Sequence, residues 1–247
     1  MNEILYGRNA VRETLRAGRR KIYKVILAQG MKEAGVVADI AMLANKNGAP
    51  IQRVERRQLD RIGDFKHQGV VAEATPHPYV ELAEILAEAD RSQEMPLLLM
   101  LDSLQDPQNL GTLLRTAEAI GIHGVVIPKR RAVGITPAVV SSSAGATEHL
   151  LVAQVTNLVR TIEELKTKGL WIVGLENVPH AQPYYQSDLK MPLALVVGNE
   201  SKGIGRLVRE NCDMLIRLPM QGRIGSLNAA VAGSIALYEV WRQQRQG

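Results

Sequence analysis

Cysteine is almost missing from this 247-residue chain, in which Cys212 stands alone. An intramolecular disulfide and a Cys-clustered zinc site are therefore excluded. Aromatic residues make up only 4%, with a single phenylalanine, which argues against a base-stacking platform built from Phe and Tyr. No apolar run approaches the roughly 18 residues of a membrane helix, and the opening MNEILYGRNA lacks the basic-then-apolar build of a signal peptide. A cytoplasmic protein with no membrane contact is the expectation. The histidines, His67, His77, His123, His149 and His180, show no helical pairing suited to a metal, so no metal is expected. Hydrophobic residues at 46% and charged residues at 22% are the balance of a globular protein of one or two domains.

The net charge of +5 is unevenly placed. Residues 1–76 hold 14 Lys/Arg against 8 Asp/Glu, whereas residues 77–247 hold 16 against 17. A basic module joined to a neutral one points to a polyanion partner, and nucleic acid is the commonest large polyanion of a cytosol. Arg19, Arg20, Lys21, Arg56 and Arg57 are the first candidates for phosphate contacts.

The front region reads as a compact α/β unit. IYKVILA (22–28), PIQRV (50–54) and QGVVAEA (68–74) have strand patterns, 33–46 reads as a helix closed by Asn47-Gly48, and 56–61 as a short helix. Proline-bounded and acidic in its middle, the stretch 77–94 reads as a linker carrying one short helix. Beyond it lie fully apolar strands: LLLML (97–101), GVVIP (124–128), LLVAQV (150–155), LWIVGL (170–175), LALVVG (193–198) and MLIRLP (214–219). Strands apolar on consecutive residues are covered on both faces, so a parallel sheet flanked by helices is predicted for 95–247. The last helix, 228–245, carries Ala229, Ala230, Ala232, Gly233, Ala236 and Leu237; these small residues allow close helix contact, within the domain or across a dimer.

Three segments carry unusual chemistry. Gly198-Asn199-Glu200-Ser201-Lys202-Gly203-Ile204-Gly205 follows a strand as a phosphate loop would, yet Gly203 precedes Ile204-Gly205 where a Walker A loop needs Lys and Ser/Thr. The dinucleotide fingerprint fails as well, for want of its third glycine. These glycines serve something other than a phosphate, or simply turn the chain. Asp102 to Ala117 includes a helix start around Asp106, Pro107 and Asn109, with Arg115 on the polar side of that helix. Leu218 to Asn228 runs from a strand end to the last helix, where Ser226 or Asn228 suits an N-cap. None of the three resembles a Ser/His/Asp triad, a carboxylate pair or a metal cage.

Taken in order, the three segments resemble the SpoU (TrmH) family of knotted RNA ribose methyltransferases. The matching pieces are Asn109-Leu110-Gly111 with Arg115-Thr116-Ala117; Val197-Gly198-Asn199-Glu200 with Gly203 and Gly205; and Leu218-Pro219-Met220 with Gly222 and Ser226-Leu227-Asn228. At the front, Tyr6-Gly7-Arg8-Asn9-Ala10-Val11 and His67-Gln68-Gly69-Val70-Val71-Ala72 resemble the substrate-binding domain of the branch acting on guanosine in large-subunit ribosomal RNA. Leu218, where isoleucine is usual, and Ala229-Ala230 depart mildly from the family pattern.

The resemblance implies an RNA-binding domain at 1–76, a knotted methyltransferase domain at 95–247, a homodimer and S-adenosylmethionine as cofactor. It assigns the cofactor to Gly198, Leu218, Met220 and Leu227, and the chemistry to Arg115 with Asn109, Glu200, Ser226 and Asn228. A guanidinium stays charged at ordinary pH, so Arg115 is expected to stabilise a forming 2′-alkoxide and anchor phosphate. Transfer RNA is the alternative substrate. A non-catalytic RNA-binding or ribosome-assembly protein of the same fold is the alternative from another class.

Overall fold

The computed structural model describes residues 2–223 and 225–245; Ile224, in the third segment, lies outside the described residues. The chain forms two compact units, one of residues 1–78 with 135–149, the other of residues 79–134 with 150–247.

The first unit runs β1 (Glu3–Tyr6), α1 (Arg8–Ala17), β2 (Ile22–Ala28), α2 (Val36–Lys46), β3 (Ile51–Val54), α3 (Arg56–Asp60) and β4 (Val70–Ala74). Its sheet has the order β1-β4-β2-β3, with β4 antiparallel to both neighbours and β2 parallel to β3. The elements β1 and α1 lie beyond the expectation from apolar runs. A four-residue strand is too short to show a period, but α1 buries Ala10, Val11, Thr14 and Leu15 on one stripe. Gly7 joins the two at φ 96°, a left-handed conformation in which a side chain is strained.

The second unit contains α4 (Leu82–Ser92), β5 (Leu97–Leu101), α5 (Pro107–Ala119), β6 (Gly124–Pro128), then, after α6 (Pro137–Ser142), β7 (Val152–Val155), α7 (Leu158–Thr167), β8 (Trp171–Leu175), β9 (Gln182–Pro183), β10 (Leu193–Val197), α8 (Arg206–Glu210), β11 (Met214–Arg217) and α9 (Ala229–Arg245). All seven strands are parallel, in the order β7-β6-β5-β10-β8-β11-β9. Every residue of β5 and β10 is buried, as two-sided cover demands. The helix in the proline-bounded stretch is α4, which closes its N-terminus with a reciprocal Glu81/Glu84 capping box and buries Leu82, Ile85 and Ala89.

Residues 135–149, containing α6, lie between β6 and β7 in the chain yet pack with residues 1–78. Two pairs far apart in sequence hold them there: the wholly buried Arg20 side chain reaches Glu148 at 2.9 Å, and His149 meets Glu13 at 3.0 Å; Arg20 also reaches Glu3 at 2.8 Å. Arg20 is thereby committed to carboxylates and withdrawn from the phosphate candidates, since a buried charge needs its partner. The small-residue face of α9 is likewise spent inside the second unit. A Cβ on Gly233 would stand 2.9 Å from Leu113 and 3.2 Å from Val197, and Ala236 and Leu237 are fully buried. The exposed apolar side chains of α9 are instead Val231, Ile235 and Tyr238.

Candidate active site

In a parallel sheet ligands gather beyond the carboxyl ends of the strands, and there the three singled-out segments meet. Four connections build the site: 102–106 after β5, 176–177 after β8, 198–205 after β10 and 218–228 after β11.

The loop after β10 is shaped by its own backbone. Asn199 and Gly203 exchange N–H to carbonyl hydrogen bonds of 3.0 and 2.9 Å, and the Asn199 Oδ1 accepts from the backbone N–H of Ser201 and of Lys202. The Asn199 Nδ2 donates to the Ser103 carbonyl, which ties this loop to the one after β5. A Cβ on Gly198 would lie 2.2 Å from the Gly203 carbonyl carbon and 2.4 Å from the Ile204 nitrogen. Only glycine allows that approach. Asp102 completes the bracing, with Oδ2 accepting from the Gly205 N–H at 2.7 Å and Oδ1 from the Ser103 hydroxyl at 3.0 Å.

Beside this loop opens a cleft. Gly198, Leu218, Met220 and Leu227 line it together with Glu200, Ser226, Leu175, Glu176 and Asn177. Its walls are chiefly apolar, with glycine-permitted backbone on one side. The Glu176 Oε1 pairs with Arg209 at 3.1 Å, while its Oε2 is buried without a hydrogen-bond partner among the described residues.

At the rim runs a hydrogen-bond chain of one polarity. The Asn228 Oδ1 caps α9, accepting from the N–H of Ala230 at 2.9 Å and of Val231 at 3.3 Å. The cap leaves the Asn228 amide to donate, and it does so to the Asn109 Oδ1 at 2.8 Å. Asn109 in turn donates from Nδ2 to the Glu200 Oε1 at 3.0 Å. Three of the five residues expected to carry chemistry, drawn from three segments, are thus joined. Ser226 lines the same cleft. Arg115 is exposed on α5 and is not part of the chain. Six residues beyond Asn109, it sits about 9 Å further along the helix and about a third of a turn around it, and it has no hydrogen-bond or ion-pair partner among the described residues.

Sequence reasoning passed over Asp102, Glu176 and Asn177. Their signal is plain in retrospect: an acid or amide directly after a fully apolar strand stands at the ligand edge of the sheet. In the first unit, the two front signatures come together. The Arg8 Nε donates to the Gln68 carbonyl at 3.1 Å, the Arg8 N–H to the Gln68 Oε1 at 3.3 Å, and the Gly7 N–H to the Val70 carbonyl at 3.1 Å.

A seven-stranded parallel sheet with glycine-built loops at one edge, in a chain that also carries a small mixed-sheet unit, is the architecture of a class of RNA methyltransferases. The chain matches the SpoU methyltransferase AviRb from Streptomyces viridochromogenes, solved in complex with AdoMet, at a TM-score of 0.82 over 100% of this chain and 92% of that one, with 23% identity. The AdoMet-bound rRNA methyltransferase from Sinorhizobium meliloti matches at a TM-score of 0.78 with 26% identity, over 98% and 87% of the two chains. In sequence, YacO of Bacillus subtilis (strain 168), named for the TrmH family of tRNA/rRNA methyltransferases, is 48% identical over 243 residues, 98% of this chain and 96% of that protein. The chain belongs to the SpoU rRNA methylase family, whose model matches residues 96–238, and residues 4–80 match the RNA 2′-O ribose methyltransferase substrate-binding domain.

Proposed function

We propose that this protein transfers a methyl group from S-adenosylmethionine to the ribose 2′-hydroxyl of a guanosine in large-subunit ribosomal RNA, acting in the cytoplasm as a homodimer. The observation that carries the reading is the Asn228–Asn109–Glu200 chain at the rim of a glycine-cradled cleft. Family membership supports the chemistry, and the front signatures support the guanosine substrate.

The cleft suits the cofactor. Leu218, Met220 and Leu227 offer apolar walls, Gly198 a close backbone, and Glu176 an unsatisfied buried oxygen for a cationic or hydroxylated ligand. When bound, S-adenosylmethionine supplies a methyl group activated by its sulfonium. This chain's residues must align a ribose hydroxyl and relieve it of its proton. Asn109 engages one Glu200 oxygen and fixes the carboxylate's direction; the second oxygen accepts the hydrogen bond of the ribose 2′-hydroxyl. Asn228, itself anchored by the start of α9, holds Asn109. Ser226 orients the ribose from the cleft wall. Arg115, fully charged and exposed, steadies the forming alkoxide once RNA or the second copy of the chain covers its face of α5.

Two structural parts belong to the same reading. The reading includes a knot in 95–247; the place of β10 between β5 and β8 and the cleft shared by the loops after β10 and β11 support it. The dimer uses the exposed Val231, Ile235 and Tyr238 of α9, beside a groove lined by Tyr184 and Trp241.

A map of 2′-O-methylation across the RNA of cells with and without this gene tests the proposal. One guanosine of large-subunit rRNA should lose its methyl group, and the purified protein should restore it. A lost mark in transfer RNA instead would transfer the chemistry to that substrate, and unchanged RNA with no activity in vitro would favour a non-catalytic RNA-binding protein.

A further inference from the structure

Next to the 199–203 loop lies a second cavity, more polar in its lining than the cofactor cleft. Asn199 and Gly203 border both. Its remaining lining is polar or charged and includes Ser103, Gln105, Arg131 and Lys202. Neither Arg131 nor Lys202 has a carboxylate partner among the described residues. The one carboxylate bordering the cavity, Asp102, is buried, accepts from the Gly205 N–H and the Ser103 hydroxyl, and makes no ion pair with either cation among the described residues.

The backbone marks the same place. Five non-glycine residues among those described have positive φ, and two of them, Ser103 at 64° and Arg131 at 61°, line this cavity. Such conformations are costly, and they concentrate where function holds them. Arg131 also ends the run Lys129-Arg130-Arg131, all three exposed, directly after β6 and so at the ligand edge of the sheet. This is local positive charge inside a region whose formal charge is near zero.

We propose that this cavity seats an RNA backbone phosphate next to the methylated ribose, held by Arg131 and Lys202 with Ser103 and Gln105 as hydrogen-bonding neighbours. The assignment rests on RNA being the substrate. The cavity shares Asn199 and Gly203 with the cofactor cleft, which sets the phosphate next to the reacting ribose. Arg131 offers a planar fork to phosphate oxygens and Lys202 a point charge. Phosphate contacts position a nucleic acid without reading its sequence, so the pair fixes the ribose and leaves base choice to other groups.

The test compares the full-length protein with Arg131→Gly, Lys202→Ala and the double variant. Glycine at 131 keeps the left-handed backbone, so this variant should melt at or above the wild-type temperature. S-adenosylmethionine affinity by calorimetry should be unchanged in all three. Binding to a transcribed large-subunit rRNA fragment should lose about 0.7–0.9 from the log–log salt slope per side chain removed. The KM for that RNA should rise on the order of tenfold per side chain, with single-turnover rate at saturating RNA near wild type. Arg131→Lys should restore the salt slope but only part of the KM. An unchanged slope and KM in the double variant, with wild-type methyl transfer intact, overturns the phosphate site and leaves the proposed function standing. A wild-type protein that methylates no RNA, yet loses slope on Arg131→Gly, overturns the methyltransferase reading and keeps the anion site.

Discussion

Replacing Asn109 by aspartate changes one atom pair at the centre of the rim chain. The Oδ1 that accepts from Asn228 is retained, but the Nδ2 that donates to Glu200 at 3.0 Å becomes an oxygen carrying charge. At 3.0 Å, two unit charges repel by about 1.4 kcal/mol in bulk water and about 5.5 kcal/mol at an effective dielectric near 20. Glu200 is exposed and Asn109 half-buried, so the repulsion falls near the lower value, about 2 kcal/mol. Losing a hydrogen bond to a charged group adds about 1.5 kcal/mol. Together these correspond to a drop on the order of 10²-fold or more in single-turnover methyl transfer, at about 1.4 kcal/mol per tenfold. The double variant Asn109→Asp/Glu200→Gln reverses the polarity of the contact: the amide introduced at 200 donates to the carboxylate introduced at 109. Melting temperature and S-adenosylmethionine affinity should then return to wild type, since one carboxylate and one hydrogen bond are again present. Turnover should stay low, because the charged oxygen that accepts the ribose hydroxyl is gone. Wild-type turnover in Asn109→Asp alone would refute the role of the chain, and full turnover in the double variant would remove Glu200 as the acceptor.

Other substitutions probe separate parts of the site. Gly198→Ala sets a methyl group 2.2 Å from a backbone carbon, so the 199–203 loop must shift by about 1 Å or more, and cofactor affinity by calorimetry should fall at least tenfold; Gly222→Ala, which meets nothing within 4 Å, is the control and should bind normally. Arg115→Ala should lower turnover on the order of 10²-fold with cofactor affinity intact, and Arg115→Lys should recover part of it; lost cofactor binding would instead place Arg115 in the cleft. Burial pushes the Cys212 thiol up to about 12, so at pH 8 only on the order of 10⁻⁴ of it is thiolate. Iodoacetamide should leave the native protein unmodified by mass spectrometry until denaturant or strongly alkaline pH is applied, and rapid labelling at pH 8 would contradict the burial.

Six of the seven strands of the second unit were legible because a two-sided strand needs no period, only an uninterrupted apolar run, and LLLML or LALVV announces itself; β9, only Gln182–Pro183, has no such run and was missed. The segment 135–149 was not legible as part of the first unit. What places it is Arg20 against Glu148 and His149 against Glu13, pairs separated by well over a hundred residues, and no local pattern encodes such contacts. The small residues of α9 were visible, but which surface they would meet was left between the domain and a dimer. Leu113 and Val197 decide it, since they fill the space a side chain on Gly233 would need. At the site, resemblance picked out Asn109, Glu200 and Asn228, yet not the direction of their hydrogen bonds. That direction follows from the helix cap, because an Asn228 oxygen facing the free N–H groups of α9 leaves only its amide to turn toward Asn109.

The charge of the front unit calls for the same distinction between composition and availability. Fourteen basic residues lie in 1–76, but Arg12, Arg16, Arg20, Lys24 and Arg53 stand in ion pairs, and Arg19 donates to the carbonyls of Glu148 and Pro78. No more than eight remain to meet RNA phosphates directly, among them exposed Lys21, Arg56 and Arg57. An exposed pair can open to admit a phosphate at small cost; the Arg20 pair, buried on both sides, cannot. Formal charge therefore overstates the share of the salt dependence this unit carries. Under the proposed function the neutral second unit contributes more than its total suggests, because Lys129, Arg130, Arg131 and Lys202 are exposed at or near the carboxyl edge of its sheet. A polyelectrolyte responds to the free charges within a Debye length of its path, not to a domain's sum, so under the proposed function the division of labour would be one of reach: the front unit would recruit RNA, and the sheet edge would hold one nucleotide still.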